Sequence, residues 1–269
     1  MPTLNRLAKS HPALLFLIPY AFLVLFLGLS DSALQVDEGA DTFVSSTILE
    51  HGTPRHANEL FSTMNYADVY DGLFVYRTWV PYYLQAASLF AFGKTTFAAR
   101  LPFALCGIIS VVLLYFFTLR LTGKKSVAFL AALFLASSVP ALLYFRAARY
   151  IGLPILLTIL LLHSYITIFE KKKWNPWPMT CVSILYFHTM YVAFSGIIAG
   201  ALIHFYYHRE TVLPENRKQV MKVAGISALF TVPWLAVVFP IFAKIPEFYL
   251  GASDLIDTTG WRFSKHFAG

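Results

Sequence analysis

The sequence predicts an all-α protein that crosses a membrane several times. Of its 269 residues 58% are hydrophobic and only 13% are charged, whereas about a quarter of the residues of a soluble domain are charged. Apolar runs close to twenty residues long recur along the chain, and a helix of that length spans about 30 Å of hydrocarbon. Lysine and arginine fall in short clusters between the runs, so the net charge of +7 reflects membrane topology and gives no support for a nucleic-acid partner.

Six apolar segments are candidate membrane helices: 12–30, 101–121, 127–145, 151–169, 177–207 and 220–243. Arg6 and Lys9 precede the first of them, so the positive-inside rule predicts a cytoplasmic N-terminus and an external first loop. The segment 177–207 has basic clusters on both sides and would be about 46 Å long as one helix. We therefore expect it to form a hairpin that turns near His188 to Tyr191, which brings the number of transmembrane helices to about seven.

The first extracytoplasmic loop, 31–99, is the longest polar stretch and contains two candidate interfacial helices. Residues 39–50 can form an amphipathic helix. Residues 78–92 are apolar and rich in Trp and Tyr, but about fifteen residues are few for a crossing and suit a helix at the membrane surface. We expect residues 1–243 to form one transmembrane module and 244–269 to begin an extracytoplasmic segment of a longer protein.

Two adjacent carboxylates, Asp37 and Glu38, lie just after the first apolar segment. Acidic residues in the first turn of a helix are stabilised by the helix dipole, so a solvated helix end is one interpretation. Because the longest outer loop begins at this point, a second interpretation is a functional site.

Several arginines fall on the predicted outer face, where the positive-inside rule disfavours them. Arg77 precedes the second interfacial helix, Arg100 begins a span, and Arg146 and Arg149 lie three residues apart on one helix face. A guanidinium group can bind a phosphate at the headgroup level through paired hydrogen bonds. The alternative is that these side chains only reach to ordinary lipid headgroups.

The order of these residues resembles that of a known family. The shared elements are Asp37-Glu38, His51-Gly52-Thr53-Pro54, Tyr76-Arg77, Phe92-Gly93, Ala98-Ala99-Arg100-Leu101-Pro102, and the stretch from Ser138 to Tyr150 that contains Arg-Ala-Ala-Arg-Tyr. Over about residues 10–210 the chain is similar to membrane glycosyltransferases of the GT-C type. Within that class it resembles the protein O-mannosyltransferase and aminoarabinose transferase relatives (glycosyltransferase 39/83-like), which use polyprenyl-phosphate-linked sugars.

The resemblance implies a seven-helix GT-C module and a role for each element of the pattern. It implies that Asp37 is the catalytic base, with Glu38 as its partner in the motif. Basic residues at Arg77 and Arg100 are expected near the lipid phosphate, and we add Arg146 and Arg149 to that set. Candidate donor or acceptor contacts are Tyr82, Tyr150 and His188.

The chemistry that we expect is transfer of the sugar to an acceptor hydroxyl on the extracytoplasmic face, with inversion. Some relatives carry a second acid directly after the Arg-x-x-Arg stretch, where this chain has Tyr150-Ile151-Gly152. A glycosidase needs two carboxylates because an alkoxide leaves poorly. A lipid phosphate is a good leaving group, so one base is enough.

The expected partners are a polyprenyl-phosphate sugar donor, membrane lipids and a protein, lipid or glycan acceptor. No cofactor is required by the sequence, although a divalent cation could bridge the phosphate to Asp37 or Glu38. A prokaryotic plasma membrane is favoured over the endoplasmic reticulum because the outer loop has no Asn-x-Ser/Thr sequon. The alternative functions are a transporter or flippase for a lipid-linked or anionic substrate, and an inactive membrane scaffold of the same fold.

Overall fold

The structure is a computed structural model that describes residues 11–55, 72–75, 77–170 and 174–239. These residues form nine α-helices and no β-strand. In chain order the helices are α1 (Ala13–Phe26), α2 (Val36–His51), α3 (Val80–Phe92), α4 (Thr96–Thr122), α5 (Lys125–Ser137), α6 (Val139–Arg146), α7 (Gly152–Glu170), α8 (Trp177–His208) and α9 (Pro214–Phe239). The predicted all-α class is confirmed, and the predicted segment 244–269 lies outside the described residues.

Four helices are long and apolar enough to cross a membrane, namely α4, α7, α8 and α9. A fifth candidate is the pair α5 and α6, which is bent by 60° at Ser138. Helix α1 has 14 residues, which is short for a crossing. The chain is therefore an integral membrane protein, but the predicted count of seven crossings is not confirmed.

Helix α4 forms the centre of the described bundle and packs against α1, α3, α5, α6 and α7. It begins where the Thr95 side chain accepts a hydrogen bond from the backbone N–H of Ala98, and it ends at Gly123 in the left-handed conformation (φ 66°). Small residues near its first half, such as Ala104 and Gly107, allow neighbouring helices to approach closely.

The ends of α4 identify the two ends of the bundle. Arg100, near its start, contacts the linker between α1 and α2. Arg120, near its end, pairs with Glu170 at the end of α7. Twenty helical residues rise about 30 Å, so the first loop and the turn after α4 lie at opposite ends. Which end faces the cytoplasm stays a prediction.

Helix α8 changes direction at Met190, whose backbone is not helical (φ −159°, ψ 87°). Before this residue, the Tyr186 hydroxyl lies 2.7 Å from Oγ1 of Thr158 on α7. After it, His204 Nδ1 lies 2.8 Å from the hydroxyl of Tyr165, closer to the end of α7. A straight α8 would move steadily away from the end of α7, so these contacts show that the chain reverses. The predicted hairpin is present as this reversal.

Helix α9 then returns to the end of the bundle that carries the first loop. Asn216 anchors its start by donating to the carbonyl of Ile168. Further along, the Phe230 carbonyl lies 2.9 Å from His188 Nε2. The Trp234 ring packs edge to face on Trp79, which precedes α3.

The first loop contains the two expected helices, α2 and α3, which pack on each other. Helix α2 begins at Val36, earlier than the predicted 39–50. Gln35 and Glu38 form a capping box that fixes this start, with the Gln35 backbone N–H donating to Glu38 Oε2 at 2.9 Å. The acidic pair is therefore part of the first helical turn.

Candidate active site

The face of α2 that carries the acidic pair also carries Asp41, one turn further on. Residues i and i+4 of a helix lie on the same face, so Asp37 and Asp41 point to the same region. The Asp37 side chain is 64% exposed, whereas that of Asp41 is 6% exposed. The sequence analysis did not identify Asp41.

Glu38 is fully engaged by protein groups. Its carboxylate accepts two hydrogen bonds from Arg100, at 2.9 and 2.8 Å. It also accepts one from the backbone N–H of Gln35 at 2.9 Å and one from that of Ala148 at 2.6 Å. Burial raises the pKa of Glu38, but these hydrogen bonds and the charge of Arg100 outweigh it and hold the pKa below its usual value.

Arg100 has no donor left for a lipid phosphate in this structure. Its five N–H groups reach Glu38 and the backbone carbonyls of Leu29, Ser32 and Ala33. The side chain is buried. In this structure it fixes the linker between α1 and α2, and its predicted phosphate contact stays a prediction.

Asp41 lies between two helices and accepts hydrogen bonds from both Arg77 and Tyr82. Arg77 Nη1 is 2.7 Å from its Oδ1, and the Tyr82 hydroxyl is 3.0 Å from the same oxygen. Burial raises the pKa of Asp41; Arg77, the Tyr82 hydrogen bond and Arg149 oppose this shift without cancelling it. The same burial raises the pKa of Tyr82, so that its hydroxyl is a stable donor.

Arg149 lies between the two aspartates. Its Nη1 is 2.9 Å from Asp37 Oδ2, and its Nε is 3.9 Å from Asp41 Oδ2. The Tyr150 ring lies beside both cations, with the Cζ of Arg77 at 4.6 Å and that of Arg149 at 5.9 Å from its centroid. Two aspartates, two arginines and one tyrosine ring thus form a single cluster at the outer surface of α2.

A cavity of about 460 Å³ opens next to this cluster. Arg149 and Arg146 line it, together with polar groups of the linker between α1 and α2. Its other wall is apolar and consists of Val139, Leu142, Leu143, Tyr144 and Ile151. The cavity therefore combines guanidinium groups with an apolar surface, as an amphiphilic anion would require.

Comparison with known proteins identifies the family. Residues 77–237, more than half of the chain, match the dolichyl-phosphate-mannose-protein mannosyltransferase family. The chain belongs to this family. The match includes Arg77, Tyr82, Arg149 and Tyr150, whereas Asp37 precedes it.

The fold of this family member is similar to that of ArnT from Cupriavidus metallidurans in the apo state. The TM-score is 0.57 at 17% sequence identity, and the match covers 90% of this chain and 44% of ArnT. At this identity the similarity shows the fold alone, and the chain spans less than half the length of ArnT. No curated protein matches the chain. The family and the fold together confirm the resemblance to GT-C membrane glycosyltransferases.

Most of the predicted site residues of this mannosyltransferase-family chain lie together. Asp37, Arg77, Arg149 and Tyr150 belong to the cluster, and Tyr82 donates a hydrogen bond to Asp41 within it. Glu38 and Arg100 lie beneath it.

Two other predicted residues lie apart from the cluster. Arg146 donates to the Val24 carbonyl at 2.7 Å and lines the cavity. His188 contacts Phe230 and Trp234, and its predicted substrate contact stays a prediction. Among the described residues no three His, Cys, Asp or Glu side chains are grouped as metal ligands.

Asp41 was missed because nothing around it in the sequence marks it as special. A signal was available in its spacing, since it lies four residues after Asp37 and therefore on the same helix face. The residues that give it importance, Arg77 and Tyr82, are 36 and 41 positions away.

Proposed function

We propose that the chain is the catalytic module of a membrane glycosyltransferase. It would transfer a sugar from a polyprenyl-phosphate-linked donor to an acceptor hydroxyl at the extracytoplasmic face, with inversion of the anomeric carbon. The observation that carries this proposal is the exposed carboxylate of Asp37, held 2.9 Å from Arg149, which in turn lines a cavity with one apolar wall.

Two arginines supply the positive charge that stabilises the departing polyprenyl phosphate. As the bond between the anomeric carbon and the phosphate oxygen breaks, the electron pair goes to that oxygen and the polyprenyl phosphate gains a negative charge. Arg77 and Arg149 are fixed before the reaction by Asp41 and Asp37, and fixed cations stabilise developing charge more than mobile ones do. Arg146 would add a third positive charge at the wall of the cavity.

Asp37 is the proposed base. Its exposure leaves it open to an acceptor, and it would take the proton of the acceptor hydroxyl as that oxygen forms its bond to the anomeric carbon. Glu38 is a poorer candidate because four hydrogen bonds from the protein occupy its oxygens. A single base agrees with the leaving ability of a phosphate.

The apolar wall of the cavity suits the first isoprene units of the donor lipid. It is formed mainly by α6, which follows the bend at Ser138. A bent helix at this end of the bundle leaves space between the membrane and the arginines, through which a lipid could reach the cluster without leaving the bilayer.

A transporter or flippase is less well supported. Such a protein would place ionisable residues near the middle of the membrane, whereas the charged cluster lies on α2, the segment before α3 and the α6–α7 linker at one end of the bundle. Membership of a mannosyltransferase family also favours transfer chemistry.

The test uses binding and turnover in the same preparation. Purified wild type in detergent is expected to bind polyprenyl phosphate saturably, and Arg77→Ala and Arg149→Ala to bind it at least about tenfold more weakly, because each loses a charge-assisted contact. Lys94→Ala is the control, since Lys94 pairs with Glu50 at the surface, away from the cluster.

Turnover is read as release of free polyprenyl phosphate from a set of polyprenyl-phosphate sugars. Asp37→Asn should still bind polyprenyl phosphate saturably and release almost none from the donor. Full release by Asp37→Asn would overturn the assignment of the base, and equal weak binding by wild type and both arginine variants would overturn the donor site.

A further inference from the structure

We infer that Asp41 is a positioning residue of the donor site, whose buried negative charge holds Arg77 and Arg149 at the spacing that lets both contact one phosphate group. The inference rests on the proposed function, in which Asp41 fixes Arg77, and extends the role of Asp41 to Arg149. Asp41 would not touch the substrate, and it would act through the two arginines.

The first argument is that the carboxylate of Asp41 is fixed in orientation. Its Oδ1 accepts from Arg77 at 2.7 Å and from the Tyr82 hydroxyl at 3.0 Å. Tyr82 is fully buried and its ring packs edge to face on Phe74, so this donor cannot easily move. A charge that is held in this way can fix the side chain paired with it.

The second argument concerns the oxygen that makes no hydrogen bond. Asp41 Oδ2 is buried and has no hydrogen-bond partner, and neither has the Nε of Arg149, which lies 3.9 Å away. Two buried polar atoms of opposite charge at this distance attract each other strongly in a low-dielectric environment. A shift of about 1 Å would turn this contact into a hydrogen bond of ordinary length.

The third argument is that the two cations need a shared counter-charge. Arg77 and Arg149 both lie within 6 Å of the Tyr150 ring centroid, so their like charges repel. Asp37 pairs with Arg149 through Nη1, and no contact joins it to Arg77 among the ion pairs of the described residues. Asp41 is the carboxylate that contacts both.

This arrangement would matter most during transfer. When Asp37 takes up the acceptor proton it loses the charge that holds Arg149. Asp41, which is shielded from the acceptor, would keep its charge and retain Arg149 as well as Arg77 beside the departing phosphate.

An alternative is that Asp41 only holds α2 against α3. Other contacts already do this: Ser45 donates to Gln85 at 2.6 Å, Gln85 donates to Thr42 at 3.0 Å, and Val44 packs in the same cluster as Ala86. We therefore expect Asp41→Asn, which keeps the shape of the side chain, to fold with a melting temperature close to that of wild type.

The experiment is a double-mutant cycle on probe binding. Farnesyl phosphate is titrated into the purified chain in detergent for wild type, Asp41→Asn, Arg77→Gln and the double variant. Asp41→Asn should raise the Kd about tenfold, and the double variant should bind less weakly than the product of the two single effects, because Asp41 acts in part through Arg77. Asp41→Glu restores the charge and should recover part of the affinity.

The matched control is the exposed pair Glu50 and Lys94, in which Glu50 lies near the other end of α2. The same cycle with Glu50→Gln and Lys94→Gln should leave the Kd unchanged. A second variant at the site, Tyr82→Phe, removes one hydrogen bond to Asp41 and keeps the charge, so it should raise the Kd by only about twofold to threefold.

The outcomes separate the two proposals. If wild type binds the probe and the effects of Asp41→Asn and Arg77→Gln multiply, Asp41 does not act through Arg77 and the inference is wrong. It is also wrong if Asp41→Asn and Tyr82→Phe both bind as wild type does, or if Asp41→Asn does not fold and Tyr82→Phe binds normally. If wild type itself does not bind, the proposed function fails first.

Discussion

Glu38 and Arg100 meet through two parallel hydrogen bonds, with their side chains 3% and 7% exposed. The pair joins the first turn of α2 to the start of α4. Glu38 also accepts from the backbone N–H of Ala148, so three separate segments meet at one carboxylate. Asp37 and Arg149 are the neighbours of Glu38 and Ala148 in the sequence, and this junction therefore sets the distance between them.

Removal of one member of this pair should destabilise the whole chain. Arg100→Ala leaves the buried Glu38 charge without its main partner, and breaking a buried ion pair costs about 3–5 kcal/mol. A thermal melt in detergent should show a large fall in the melting temperature. Lys94→Ala breaks an exposed pair and should shift it little, since such pairs contribute about 0–1 kcal/mol. Equal small shifts in both variants would show that the Glu38–Arg100 pair does not hold the segments together.

The ionisation of Glu38 should make the stability of the folded chain depend on pH. Its pKa is lowered in the folded chain from the ordinary value of 4.5, so the folded state binds this proton less readily than the unfolded state does. The stabilisation is then fully present above pH 4.5 and is lost as the pH falls through the lower, folded pKa.

The measurement compares melting temperatures of wild type and Glu38→Gln between pH 3 and pH 7. Asp41 is present in both, so its own titration, whose folded pKa is shifted in the opposite direction, largely cancels in the difference. The advantage of wild type should be greatest near neutral pH and should shrink below pH 4.5. A difference that does not change with pH would contradict the role of Glu38 ionisation.

The sequence was sufficient for features that depend on local pattern. Apolar run length predicted the long helices α4, α7 and α9, because the thickness of the hydrocarbon sets the length of a crossing. The basic clusters around 177–207 predicted the reversal found at Met190. The apolar run 127–145 gave no sign of the bend at Ser138, since Pro140 is compatible with the first turn of a new helix and with a kink alike.

The site was harder to predict, because its parts come from distant segments. Arg77 and Arg100 both lie at the end of the bundle that carries the first loop, and only the structure shows that Arg100 is saturated by Glu38 and backbone carbonyls. A sequence does not show whether a guanidinium group faces its own protein or a ligand. Asp41 is the opposite case. No motif marks it in the sequence, and the groups that contact it come from α3, from the segment before α3 and from the linker after α6.

The reversal of α8 predicts the accessibility of its two ends. In a Cys181→Ser background, Trp177→Cys and His208→Cys should react with a membrane-impermeant maleimide from the same side of oriented vesicles, whereas Tyr191→Cys should react from the other side or be protected. Cys106 is buried and serves as an unreactive internal control. If Trp177→Cys and His208→Cys react from opposite sides, α8 crosses the membrane once and the reversal is wrong.

Close helix packing at Gly107 predicts opposite effects for two glycine substitutions. A Cβ atom at Gly107 would lie 2.8 Å from both Leu25 Cδ1 and Phe145 Cγ, whereas one at Gly200 would meet nothing within 4 Å. Gly107→Ala forces α1 and α6 away from α4 and should cost about 1–3 kcal/mol. Gly200→Ala should gain up to about 1 kcal/mol from helix propensity. Thermal melts should therefore shift down for the first variant and up for the second, and a Gly107→Ala variant that melts at or above wild type would show that the three helices pack less closely than described.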